Sequence, residues 1–399
     1  MESDTSTAVA SPRNFEFTGK AGEYFSIWIV NVLLTILTLG IYSAWAKVRT
    51  NQYFYGNTKL DNNTFRYLAD PKQILKGRII AVTFFAIYYF SGLLSPIAAG
   101  VSLLILMLLM PALIVMSMSF QLRNTAYRNI KFKFEKNFKK AYMVFILPML
   151  IIAPYFFFIS IFKPEELATQ QEMPKHLIIM FAGFPFLIML MFPWWEYMIT
   201  RFKINHSNFG TSDFSFGAKK RQYYFLYLKP FLGIMLAGVL AAIIIPAIAG
   251  YNEAAEAAQT ASAPQSTHVT NKPQPADPNP VAAIAIPIAV VIFYLWFFAY
   301  IQTKRTNLVF NNVNIAGHQL TSKLGVGYMM YLYATNTLAM ALSLGLLMPW
   351  AKIRTARYRA SVTAVEPSGD FDGFIGAQMN QQSALGEEMG EIFDLDLGM

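Results

Sequence analysis

The 399-residue chain has no cysteine, which excludes disulfides, thiolate metal sites and thiol catalysis. Histidine is almost as scarce. His176, His206, His268 and His318 are scattered with no ligand spacing, so structural zinc and a His-based catalytic centre are not expected, and no metal or other cofactor is assigned. Charge is thin as well: 14% of residues are charged, where soluble domains carry about a quarter. Acidic residues are unevenly placed, with eight between Glu366 and Met399, a stretch that holds no Lys or Arg. The first twenty residues are polar, unlike a cleavable signal peptide.

What is present is apolar. Hydrophobic residues make up 55% of the chain and the mean hydropathy is +0.38. A soluble globule of this composition would precipitate, so the chain reads as an α-helical polytopic membrane protein. The net charge of +9 lies in loops beside apolar runs, which points to anionic membrane lipids as partners and to positive-inside orientation rather than to nucleic acid.

A bilayer core needs ~20 apolar residues per helix. The charge-free run 79–120 has room for two crossings, and 141–162, 177–195, 230–250 and 281–301 for one each. Six transmembrane spans are therefore expected. Two further runs at the chain ends, 24–46 and 324–351, either cross or re-enter. Crossing once would place Arg354, Arg357 and Arg359 outside, against the charge rule, so hairpins turning back near Gly40 and Gly345 are favoured. The basic segments 47–78, 121–140, 199–221 and 302–323 are read as cytoplasmic. Prolines 148, 154, 185, 193, 246 and 287 fall inside spans and read as ordinary kinks.

One motif recurs. Leu39-Gly40 followed by Trp45-Ala46-Lys47-Val48-Arg49-Thr50 matches Leu344-Gly345 followed by Trp350-Ala351-Lys352-Ile353-Arg354-Thr355 at a constant offset, which also aligns Asn31 with Asn336. After each basic helix end the pattern changes to period two around Asn or Gly, as in Phe65-Arg66-Tyr67, Phe132-Lys133-Phe134 and Phe214-Ser215-Phe216. That is hairpin chemistry. A cytoplasmic layer of short β-hairpins is expected beneath the helices, closed by pairing Phe15-Glu16-Phe17 with the stretch Tyr358 to Val365.

The start Phe15-Glu16-Phe17-Thr18-Gly19, the run 31–40, and WAKVRT and WAKIRT at 45–50 and 350–355 resemble the YjgN-like family of uncharacterised bacterial inner-membrane proteins. The resemblance covers Phe15 to Val365 and implies a multi-pass protein of the bacterial inner membrane, with no activity or functional residues to carry over. The organisation read from the chain is a disordered 1–14, membrane parts 15–250 and 281–365, a disordered non-cytoplasmic linker 251–280, and an acidic disordered tail 366–399.

Candidate sites are few. Trp45, Lys47 and Arg49, with Trp350, Lys352 and Arg354, are candidate lipid-headgroup contacts, because an indole at the interface with a cation one turn deeper suits a phosphate; the plainer reading is an anchor that sets helix depth. Asn31 and Asn336 are a candidate intramembrane polar site or plain interhelical bonds. Glu196 reads as a partner of Arg201 or Lys203, or as a proton-coupling carboxylate. No nucleophile stands beside a base, so no catalytic residue is assigned and an enzyme is the least supported class. Two classes compete: a small-solute or lipid transporter or channel, towards which the balance leans, and a non-catalytic scaffold binding anionic lipid or partner proteins through its cytoplasmic face.

Overall fold

The computed structural model describes residues 11–161, 175–236, 238–239 and 280–396. Ten short strands close into one antiparallel barrel, and the helices stand between them. The order begins β1 (Arg13–Phe17), α1 (Ala21–Leu37), α2 (Ser43–Gly56), β2 (Thr58–Leu60). It continues β3 (Asn63–Tyr67), α3 (Pro71–Leu94), α4 (Pro96–Arg123), β4 (Thr125–Tyr127), then β5 (Ile130–Phe134), α5 (Phe138–Ile161), α6 (Lys175–Asn205), β6 (Ser207–Phe209). Next come β7 (Ser212–Phe216), a helical run over 220–236 that we label α7, α8 (Pro280–Phe310) and β8 (Val313–Ile315). The chain ends β9 (His318–Ser322), α9 (Val326–Leu342), α10 (Met348–Ser361), β10 (Thr363–Glu366) and α11 (Phe371–Asp396).

Strand, helix, helix, strand thus follow one another five times. In each unit the residue after the first strand donates its amide to the carbonyl that ends the second helix: Thr18 to Asn57, Leu68 to Asn124, Glu135 to His206, Gly217 to Asn312 and Lys323 to Val362, all at 2.8–2.9 Å. Two-residue turns join successive units, and their positive φ values suit primed hairpins: Asp61-Asn62, Arg128-Asn129 and Ala316-Gly317. The ring closes where β1 pairs with β10, Arg13 opposite Val365.

Alternation explains the barrel core. Inward positions supply Leu60, Tyr127, Ile130, Phe209, Ile315 and Val365, with Phe15, Phe65, Phe132 and Phe214 packed against them. Helix α11 covers the mouth on the turn side, contributing Phe371 and Ile375 to the same core. Asp372 bonds Arg128 at 2.8 Å, and Gln378 accepts from the Thr211 amide at 2.8 Å. Burial lifts the Tyr127 hydroxyl to about 12; it donates to the Leu60 carbonyl at 2.8 Å.

The expected six-span helical bundle with a hairpin layer is corrected by this architecture. The strands form a closed ten-strand barrel to which all five units contribute. Among the described residues three helices are long and apolar enough to cross a membrane: Pro71–Leu94, Pro96–Arg123 and Ile288–Phe310. The physical reason is that an apolar run reports burial in lipid or in protein alike. Among the described residues, the runs 141–162, 177–195 and 230–250 add no further such helix. On α3, Ile79, Val82 and Phe85 are all more than half exposed, as a lipid-facing surface requires.

Residues 366–399, read as a disordered tail, are helical from Phe371 to Asp396, because their apolar residues find the barrel mouth. Of the stretch 1–14 read as disordered, Arg13 and Asn14 belong to β1; the first ten residues lie outside the described ones, as does the linker read at 251–280 up to Pro280.

Candidate functional site

Both end segments are helical hairpins. α1 and α2 reverse at Leu39 and Gly40, with φ of +49° and +92°, and α9 and α10 at Leu344 and Gly345, with +50° and +89°. The same bonds recur in each. Asn31 Nδ2 donates to the Ala46 carbonyl at 3.5 Å, and Asn336 Nδ2 to the Ala351 carbonyl at 3.3 Å. The Lys20 amide donates to the Tyr53 hydroxyl at 2.8 Å, as the Gly325 amide does to Tyr358 at 2.9 Å. The buried asparagines therefore brace helix against helix.

The motif residues separate onto two faces. On one, Arg354 lies 5.1 Å from the Trp350 ring and 5.0 Å from Tyr331, and donates to Thr335 Oγ1 at 2.6 Å and Asn336 Oδ1 at 3.5 Å. Arg49, its counterpart, lies 5.9 Å from the Tyr42 ring, and Tyr42 stacks on Trp45 at 6.1 Å. This face is cation and aromatic in mutual contact.

The lysines lie on the other face, where each hairpin forms a cleft. The first cleft, about 410 Å³, is lined by Tyr24, Asn31, Lys47, Thr50, Arg78 from α3 and Lys352 from α10. The second, about 480 Å³, carries the counterparts Asn336, Lys352 and Thr355, with Arg359. Neither has a carboxylate in its lining. The first gathers three cations from three different helices, and Arg78 is tied to it by a bond to Ser43 Oγ.

Sequence reasoning missed Arg78. It is the last charge before the uncharged run 79–120, a position where a lone Arg reads as an anchor; only the packing of α3 on α2 brings it to the cleft.

Glu196 is not brought to either cleft. It is buried and pairs with Arg305 of α8, and accepts from the Tyr227 hydroxyl. The expected partners Arg201 and Lys203 are on its own helix, and Arg201 instead donates to the Tyr197 hydroxyl at 3.4 Å. Its partner lies 109 residues on, out of reach of local spacing arguments. Glu196 thereby ties α6 to α8.

A family described as bacterial protein of unknown function (DUF898) matches residues 12–392. The chain belongs to this family. Similar proteins are named inner membrane protein YjgN. The one from Salmonella typhimurium (strain LT2) is 26% identical over 383 residues, 89% of this chain and 88% of the relative. The one from Escherichia coli (strain K12) is 28% identical over 241 residues, 55% of this chain and 58% of that relative. No solved structure matches the chain. Like these relatives it is a protein of the bacterial inner membrane. In this family member the acid-free cleft is lined by the apolar α1, by the start of α3 and by the basic helices α2 and α10.

Proposed function

We propose that the protein binds anionic phosphate headgroups of membrane lipids in the cleft of its first hairpin, as a non-catalytic inner-membrane component. The observation that carries this reading is the convergence of Lys47, Arg78 and Lys352 on one cleft without a carboxylate. Like charges gathered beside a low-dielectric helix layer repel one another unless an anion joins them. A phosphate is the anion that the surroundings supply, and both Lys and Arg bind it. The basic balance of the chain as a whole attracts the same lipids.

The earlier transport reading has one observation in its favour. Neighbouring helices pack side by side, α10 returns to α1, and the barrel beneath is closed at its turn side by α11. In that reading α11 leaves the mouth and the cleft presents the anion to the axis. Against it, the amide nitrogens of Asn31 and Asn336 are both spent on bracing one helix of a hairpin against the other.

Native mass spectrometry of the protein extracted in mild detergent tests the binding reading. The wild type should retain anionic phospholipid, and Lys47→Gln with Lys352→Gln should lose most of it. An identical lipid complement in wild type and double variant would overturn the proposal.

A further inference from the structure

The two clefts correspond at Asn31 and Asn336, Lys47 and Lys352, and Thr50 and Thr355, yet differ around the asparagine. In the second, Asn336 Oδ1 accepts from Arg354. In the first, Arg49 is turned towards Tyr42, and Asn31 Oδ1 has no partner although Asn31 is only 4% exposed. The Tyr24 hydroxyl, at a residue with no exposed surface, is also unpartnered, and Tyr24 lines the same cleft. Its counterpart at the constant offset is Met329, which has no polar group. A buried polar atom left unpaired is costly, and two of them in one cation-lined cleft mark a site whose remaining partners belong to a ligand.

The geometry points to a phosphate ester that itself carries a hydrogen-bond donor as the ligand of the first cleft, an inference that rests on the anion-binding reading above and narrows it. The chemistry follows from what each group can do. Lys47, Arg78 and Lys352 are donors and cations, and they hold the phosphate. A phenol donates as well as accepts, so the Tyr24 hydroxyl joins them on a phosphate oxygen. Asn31 Oδ1 can only accept. It therefore needs an O–H that a bare diester lacks and that a glycerol headgroup provides. A site built to receive a donor discriminates against the analogue without it more strongly than an apolar pocket discriminates by size. The second cleft, its asparagine already satisfied, has no such preference.

The test compares two anionic lipids of equal charge, phosphatidylglycerol, whose headgroup carries hydroxyls, and phosphatidylmethanol, whose headgroup has none. Each is titrated into the full-length protein in detergent and retention is read by native mass spectrometry. Phosphatidylglycerol should be retained about tenfold more tightly, the worth of one satisfied buried hydrogen bond. Asn31→Leu should abolish that preference by weakening phosphatidylglycerol alone, Asn336→Leu should leave it intact, and Tyr24→Phe should weaken both lipids.

Soluble glycerol phosphate separates the sources. Displacement of bound lipid at low millimolar concentration assigns the site to a free ester, and persistence of the lipid assigns it to the headgroup. Equal retention of the two lipids by the wild type would overturn the inference and leave anion binding standing; retention of neither would overturn both. Should Asn31→Leu fail to fold, the wild-type comparison and Tyr24→Phe decide the matter alone.

Discussion

Lys352 Nζ lies 6.0 Å over the ring of Tyr24, so the last unit of the chain reaches into the cleft of the first. The two residues are 328 positions apart and meet because β1 pairs with β10 and α10 packs on α1. Lys352 lines both clefts, whereas Arg359 lines the second alone. Lys352→Gln should therefore reduce retention of anionic lipid as much as Lys47→Gln does. Arg359→Gln should have little effect. Lipid counts for the three single variants check this ordering.

The two motif arginines should respond unequally to the same conservative change. Arg354 grips two side-chain oxygens and stacks on two rings, geometry that a lysine cannot reproduce. Arg354→Lys should cost ~1–3 kcal/mol of stability, while Arg49→Lys, with a single ring contact at 5.9 Å, should cost less than ~0.5 kcal/mol. Thermal unfolding in detergent measures both. Equal losses would mean that the equal spacing of the motifs, not the difference in contacts, decides their roles.

Some of this was legible and some was not. Phe15-Glu16-Phe17 and Phe65-Arg66-Tyr67 show period two, and the offset between Trp45-Ala46-Lys47 and Trp350-Ala351-Lys352 is visible by inspection. The pairing of the first strand with the last was legible at the chain ends, and β1 does pair with β10; that the other strands join neighbouring units into one barrel was hidden, because strands of three to five residues carry little signal each. Their partners in neighbouring units also lie dozens of residues away, as with Phe132 and Phe209. Apolar run length overstated the crossings for the reason given above. At the site, the sequence groups Lys47 and Lys352 with Trp and Arg, from which the helix turn separates them. Asn31 and Asn336 were seen as a pair, yet nothing in the sequence distinguishes the satisfied oxygen of one from the free oxygen of the other.

The hairpin turns offer a stability test. Gly40 and Gly345 adopt φ near +90°, which L side chains avoid. A Cβ at either would meet no neighbour within 4 Å, so any loss on substitution reports backbone strain alone. Gly40→Ala and Gly345→Ala should each cost ~1–2 kcal/mol, read as a lowered thermal midpoint. Replacement of Gly22, which has ordinary φ and open space around it, should cost nothing measurable.

Docking of α11 should depend on pH through His318. The imidazole is 3% exposed, and burial pushes its pKa below the ordinary value of 6.5. Its Nδ1 accepts from the Ser368 amide at 3.1 Å, a bond that needs the neutral ring, and Phe371 lies edge-on to it at 5.2 Å. Because the undocked state binds the proton more readily, stability is full above about pH 6.5 and falls as pH drops through the lowered folded value. Hydrogen exchange at 371–382 should accelerate between pH 7.5 and pH 5. In His318→Phe that acceleration should be much smaller.

The most direct test of the proposed function is to place a photoreactive group on the headgroup of phosphatidylglycerol, irradiate it with the full-length protein in bilayer nanodiscs, and map the labelled peptides. Labels should concentrate on residues 24–51 and 348–356, with Arg78 nearby, and should fall several-fold in Lys47→Gln/Lys352→Gln while labelling elsewhere on α3 and α4 is unchanged. Labels spread evenly over the lipid-facing helices, and indifferent to the two lysines, would contradict the assignment of a headgroup site to this cleft.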